Sequence, residues 1–337
     1  MSKRNTYTCL SQSDMAIQIE RLVQAIENTT TPAFKVTQLR PGQERVQTTR
    51  LSKYFDHIQQ MVGLFDDRYP YDFSEHLQVF WQACQDIGLE LSPMGLTCLD
   101  EGETRYLSTS ETLNTLTDRI RQLTGAKRYQ RGKVDRRYQA RDKQDKITEY
   151  VDRVLNRYSR TVVVRVDLHY LSVVQARLRV EDAFADHDRL VREIERNSIF
   201  DHLTGYICSV EQGEDRGYHI HAAFFFNGAG VRSDVSKARQ IGQLWEQITR
   251  GQGYCHSCNH DKESYGDDLG IGVIQREDLD IRPKVHYAMR YLGKDTQHLR
   301  LKPVGARCLR KGQAKKVSWA TNQSSTRREQ FTDKLES

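Results

Sequence analysis

Long apolar runs are missing from this 337-residue sequence, and with them any segment of the roughly 18–20 residues that a bilayer-spanning helix needs. The opening residues, MSKRNTYTCLSQ, hold no apolar stretch of the kind a secretory signal carries. Neither a P-loop nor a dinucleotide-binding glycine fingerprint occurs, so any ATP-driven unwinding must come from another protein. No internal repeat stands out. Cysteine is present but unsuited to a disulfide framework. Its seven positions (Cys9, Cys84, Cys98, Cys208, Cys255, Cys258 and Cys308) are odd in number and scattered, which fits a reducing compartment. The expectation is a soluble, cytoplasmic protein with no membrane partner.

Charge is nearly balanced overall, with 51 Lys and Arg against 45 Asp and Glu, but it is unevenly placed. The stretch KRYQRGKVDRRYQARDKQDK at 127–146 holds nine basic and three acidic residues. RLKPVGARCLRKGQAKK at 300–316 holds seven basic residues and no acid. Concentrated positive charge attracts polyanions such as nucleic acid; a solvated or disordered basic face is the plainer alternative. Tyr129, Tyr138 and Tyr158, set among the basic residues, are candidates for stacking on unpaired bases.

The first 125 residues read mostly as helices, over 12–28, 48–65, 74–87 and 108–124, each with apolar residues at helical spacing. Ser108 and Ser110 are candidate caps of the last one and Gly125 its stop. Residues 126–150 have little apolar periodicity and read as a basic linker or arm, closing into a helix from Ile147. The pattern then changes. TVVVRVDLHY at 161–170 reads as a strand, 181–198 as a charged amphipathic helix, and TGYICSVE and YHIHAAFFF as the two strands of a hairpin. A helix over 233–249, a strand at 271–275 and a helix over 284–294 complete the set. Strands interleaved with helices, including a hairpin, imply an α+β domain over 151–305 on a mainly antiparallel sheet, with a helical accessory domain at 1–125 and a basic, flexible tail at 306–337.

The sharpest local signal is His219-Ile220-His221. Residues i and i+2 of a strand share a face, so both imidazoles reach one ion while Ile220 points the other way. Glu211, near the end of the preceding hairpin strand, can stand beside them. Two imidazoles and one carboxylate leave positions open on Mg²⁺ or Mn²⁺ for phosphate oxygens and water. The second constellation is Tyr287-Ala288-Met289-Arg290-Tyr291-Leu292-Gly293-Lys294. On a helix Tyr287 and Tyr291 lie on one face, with Lys294 three residues on. A phenol, with an ordinary pKa near 10, attacks a phosphodiester usefully only where a metal or cations stabilise the developing charge. Packing is the usual role of such tyrosines, and the metal trio upstream is what argues for chemistry.

These residues, GYHIH with an upstream Glu followed by YxxxYxxK, resemble the HUH endonucleases. The closest likeness is to the inovirus-type replication proteins and the YagK/YfjJ C-terminal family, with paired tyrosines similar to those of phage A-type rolling-circle initiators. The resemblance runs from VVRVDL at 163–168, through SVEQGEDRGYHIHAAFFFNG at 209–228 and GIGVI at 270–274, to HYAMRYLGKDTQ at 286–297. It implies a ferredoxin- or RRM-like palm and a metal held by Glu211, His219 and His221. Tyr287 and Tyr291 would be nucleophiles that join the 5′ phosphate of single-stranded DNA, with Lys294 positioning the phosphate and Asp167 near the metal. The function implied is initiation of rolling-circle replication of a phage, plasmid or integrated element in a bacterial host. The DNA is an origin single strand or hairpin, and a host helicase and polymerase are the protein partners. Transposition or conjugal transfer uses the same chemistry, and a non-cutting DNA-binding regulator is the reading from outside the enzymes. Cys255-His256-Ser257-Cys258-Asn259-His260 suggests zinc but has no second distant ligand pair, so a polar loop is the simpler reading.

Overall fold

In a computed structural model, residues 9–313 are described, apart from 41–42, 66–68, 93–94 and 295–297. In chain order the elements are α1 (Gln12–Glu27), β1 (Phe34–Arg40), β2 (Gln43–Thr48), α2 (Ile58–Gly63), β3 (Tyr71–Phe73), α3 (Glu75–Asp86), β4 (Glu90–Ser92), β5 (Gly95–Thr97), α4 (Thr109–Gly125) and α5 (Lys127–Leu155). There follow β6 (Arg160–Tyr170), α6 (Ser172–Gln175), α7 (Val180–Arg196), β7 (Leu203–Gly213), β8 (Gly217–Asn227), α8 (Asp234–Ile248), β9 (Gly253–Ser257), β10 (Gly272–Gln275), α9 (Arg282–Arg290), β11 (Leu301–Pro303) and β12 (Leu309–Lys311). Among the described residues, no helix is long and apolar enough to cross a membrane.

The chain is a mixed helix and sheet structure built on one principal antiparallel sheet, in the order β10-β6-β8-β7-β12, with β9 also pairing β6. The main strands arrive as β6-α7-β7-β8-α8-β9, so β8 returns from its hairpin to lie between β7 and β6. Central placement explains why β8 is apolar on both faces. Ile220, Phe224 and Phe226 join a cluster with α7 and α8 residues, whereas Ala223 and Phe225 join one with Ile147 and Tyr150 of α5 and Val285 and Met289 of α9. His219 and His221, in step with Ala223 and Phe225, therefore emerge on the α5–α9 side.

The N-terminal helices begin where their caps predict. Ser11 and Asp14 form a reciprocal capping box, as do Ser108 and Glu111. This region is not wholly helical: β1 and β2 form an exposed hairpin, β4 pairs β5, and β3 pairs β11 from the far end of the chain. The stretch read as one helix over 48–65 is a 3₁₀ turn at Ser52–Phe55 followed by the short α2. Apolar residues of α1 to α4 share a continuous cluster with the sheet's α7–α8 face. A buried ion pair crosses the same boundary, Arg300 Nε donating to Glu20 Oε2 at 2.7 Å.

Three further expectations need correction. The basic stretch at 126–150 is not an irregular linker; from Lys127 onward it lies within α5, a continuous 29-residue helix. Lys, Arg, Gln and Ala are good helix formers, and polar anchors replace an apolar stripe in its first half. The Tyr129 hydroxyl and Lys133 bind Glu27, and Arg136 binds Glu75 at 2.8 Å. Tyr129 is buried by these contacts and offers no ring to a base, whereas Tyr138 is exposed. Cys255 lies in a strand rather than a loop, because β9 extends the sheet beside β6. The proposed tail begins with ordered structure, since β12 pairs β7 through Leu309↔Ser209; residues 314–337 lie outside the described residues.

Candidate metal centre and its tyrosine

The centre forms where β6, β8 and β7 run side by side. The ladder sets Glu211 opposite His219, and His221 between Ser209 on one side and Asp167 on the other. Directly paired residues point to the same face, so this register gathers two imidazoles and two carboxylates above one patch of sheet. All four are at least nine-tenths buried.

Each imidazole has its Nδ1 committed. His219 Nδ1 lies 3.0 Å from the Gly217 carbonyl and His221 Nδ1 lies 2.5 Å from Asp167 Oδ1. A carbonyl and a carboxylate accept only, so both Nδ1 atoms carry the proton and both Nε2 lone pairs face inward. Those Nε2 atoms are 3.2 Å apart, and Glu211 Oε2 lies 3.6 Å from that of His221. Glu211 Oε2 is buried with no hydrogen-bond partner. Two inward lone pairs and an orphaned carboxylate oxygen, each within 4.8 Å of the others, are the donor set a divalent cation satisfies. Gly217, at φ +55°, takes the left-handed conformation at the entry to β8 from which its carbonyl orients His219.

Burial and close contact shift both imidazoles and both carboxylates of this patch. Burial raises the Glu211 carboxyl to about 7 against the opposing influence of His221 and Ser209. Burial, with the neighbouring His221, lowers His219 to about 4. Burial also disfavours a charged His221, but the hydrogen bond and charge of Asp167 outweigh it and raise its pKa. Asp167 is itself buried, yet its bond to His221 and the nearby Arg165 hold it well below the usual carboxylate range. His169 completes the β6 face: burial and His219 lower it to about 3, and its ring lies 5.3 Å from that of His219.

Of the two tyrosines, the structure brings Tyr291 to this centre. α9 ends at Arg290 rather than continuing to Lys294, and a 3₁₀ turn at Tyr291–Gly293 carries Tyr291 against His221. Its ring meets His221 edge-on, 5.4 Å between centroids at 81°. The Arg165 guanidinium lies 4.7 Å from the Tyr291 centroid and Lys294 Nζ 3.7 Å. Tyr287, one turn earlier, is 65% exposed and has none of these ring contacts. Lys294 is partly desolvated and close to Arg165, which lowers its pKa although Glu211 opposes.

Sequence reasoning missed Arg165 and His169. The signal was present in TVVVRVDLHY, where Arg165, Asp167 and His169 alternate in an otherwise apolar strand and so share the face of the two histidines. The Cys255–His260 segment does not form a metal cluster. Among the described residues, Glu211, His219 and His221 are the one group of three with metal-ligand geometry.

Residues 127–251 match the family model of the YagK/YfjJ C-terminal domain. The match opens at the first residue of α5 and closes just after α8, so it contains Asp167, Glu211, His219 and His221 but stops short of Tyr291. No curated protein and no solved structure matches the chain.

Proposed function

We propose that the protein is a metal-dependent single-stranded DNA endonuclease and strand transferase of the HUH class. It would initiate rolling-circle replication of a phage, plasmid or integrated element in the cytoplasm of a bacterial host. The observation that carries this reading is the placement of Tyr291 against His221, under two cations, at the only cluster of metal-ligand geometry among the described residues. Support for the palm comes from the β-α-β-β-α-β order with β8 inserted between β7 and β6, which is the ferredoxin-like arrangement.

Glu211, His219 and His221 would hold Mg²⁺ or Mn²⁺, which when bound supplies positive charge to the scissile phosphate. Asp167 and the Gly217 carbonyl keep both imidazoles in the ligating tautomer. Arg165 and Lys294 flank the phenol and stabilise negative charge on it and on the phosphate. The Tyr291 oxygen forms a bond to phosphorus as the bond from phosphorus to the 3′ oxygen breaks. The phenolic proton leaves to solvent and the 3′ oxygen takes one up, giving a 5′-phosphotyrosine and a free 3′ hydroxyl for a host polymerase. Tyr287, exposed one turn away, is the second nucleophile, acting on the new junction. A host helicase supplies the unwinding for which this sequence has no P-loop.

The test is to incubate the protein with labelled origin single strand and Mn²⁺ and run a denaturing gel. A slower protein–DNA adduct that disappears with EDTA is expected. Tight binding without an adduct, across several metals and sequences, would favour a non-cutting regulator.

A further inference from the structure

A cleft of about 820 Å³ opens on the metal centre at Glu211 and Lys294 and runs away from it between α3 and α5. Its long wall is one face of α5, from Lys143 near the centre to Arg128 at the far end. Those positions are fifteen residues apart, so the wall is about 22 Å long at 1.5 Å per residue. Arg136 and Lys302, which also line it, are neutralised by Glu75 and Asp72. Arg128 and Lys143 are exposed and, among the described residues, have no carboxylate within ion-pair distance. Trp81 on α3 lines the opposite wall and is fixed by stacking on Phe65, 4.8 Å apart and 7° from parallel.

We propose that this cleft is the track for the unpaired DNA strand beside the scissile phosphate, with Arg128 and Lys143 on its phosphates and Trp81 under a base. The inference rests on the nuclease reading, since it is the phosphate-handling end of the cleft that argues for a polynucleotide. Unneutralised cations set along a groove with an immobilised aromatic plane are what a single strand needs: charge for the backbone, a π-face for a base. It also gives the N-terminal helices a role. α1 packs beside the hairpin through Tyr218 Oη donating to Gln12 and Gln212 donating to Ser13, and α3, packed against α1, becomes the second wall of the cleft.

The experiment is fluorescence anisotropy of a labelled oligo-dT with the full chain in EDTA, so that cutting does not enter the readout. Arg128→Glu with Lys143→Glu is expected to weaken binding at least about tenfold and to lower the salt slope by roughly one to two. Trp81→Leu is expected to weaken binding about fivefold or more without changing that slope. Arg232→Glu with Arg239→Glu, at and on α8 across the sheet, matches the charge change away from the cleft and is expected to leave binding near wild type. Arg128→Gln with Lys143→Gln repeats the test should charge reversal disturb folding. Equal losses in cleft and α8 variants, unchanged binding in the cleft variants, or an acidic peptide that binds the cleft while oligo-dT does not, would overturn the track. The two readings separate cleanly. Cleft-dependent binding without any adduct contradicts the nuclease alone, and an adduct formed normally by cleft variants that bind normally contradicts the track alone.

Discussion

Asp167 and His221 stand opposite each other on β6 and β8, and the carboxylate accepts the imidazole Nδ1–H at 2.5 Å. This bond fixes which nitrogen of His221 faces Glu211 and His219. Removing a carboxylate of this kind typically costs about 10- to 100-fold in metal affinity. Asp167→Ala is expected to lose that much Mn²⁺ affinity by calorimetry while the fold persists, and Asp167→Asn, which keeps an acceptor, to lose less. Because two of the three ligands are imidazoles, Mn²⁺ is expected to bind more tightly than Mg²⁺.

Lys294 touches the phenol ring rather than the ligand set. Lys294→Ala is expected to slow adduct formation about 10²- to 10³-fold, the usual effect of deleting one charge-stabilising group, with Mn²⁺ affinity unchanged. Single-turnover kinetics beside a metal titration separates the two effects.

The Glu20–Arg300 pair makes a prediction for acid stability. Glu20 is buried, which opposes ionisation, but Arg300, His298 and His76 outweigh this and lower its pKa. A carboxylate whose pKa falls on folding adds stability above its unfolded pKa, near 4.5. That contribution disappears as the pH falls through the lower folded value. Wild type is therefore expected to lose unfolding free energy steeply in acid, and Glu20→Gln to show a flatter acid limb. At neutral pH the variant is expected to be about 3–5 kcal/mol less stable, because Arg300 stays buried without its partner. Urea melts at several pH values provide the check.

Phe225 is fully buried and packs toward α5 and α9, the helix that leads into the Tyr291 turn. Phe225→Ala is expected to cost about 3–5 kcal/mol in chemical denaturation.

The grouping of Glu211, His219 and His221 was more legible in the sequence than the element boundaries. His219 and His221 could be read because strand period two is local, and Glu211 because a hairpin brings its strand alongside. The helical character of 127–146 could not be read from periodicity, because Glu27 and Glu75, distant in sequence, anchor Tyr129, Lys133 and Arg136. The β1–β2 hairpin escaped notice because its faces are exposed and show no apolar alternation. Strand β9 was hidden by the metal-like spacing of Cys255 and Cys258, although its pairing depends on β6, some ninety residues earlier. The difference between Tyr287 and Tyr291 depends on α9 giving way to a 3₁₀ turn after Arg290, a change of pitch that identical spacing arguments treat alike.

The most direct measurement is peptide mapping, by mass spectrometry, of the adduct formed with single-stranded DNA and Mn²⁺. The account predicts a nucleotide mass on the peptide containing Tyr291 in the first cleavage, lost in Tyr291→Phe and retained in Tyr287→Phe. A first-cleavage nucleotide carried by Tyr287 or by any residue other than Tyr291, or an adduct that persists when both tyrosines are phenylalanine, would contradict it.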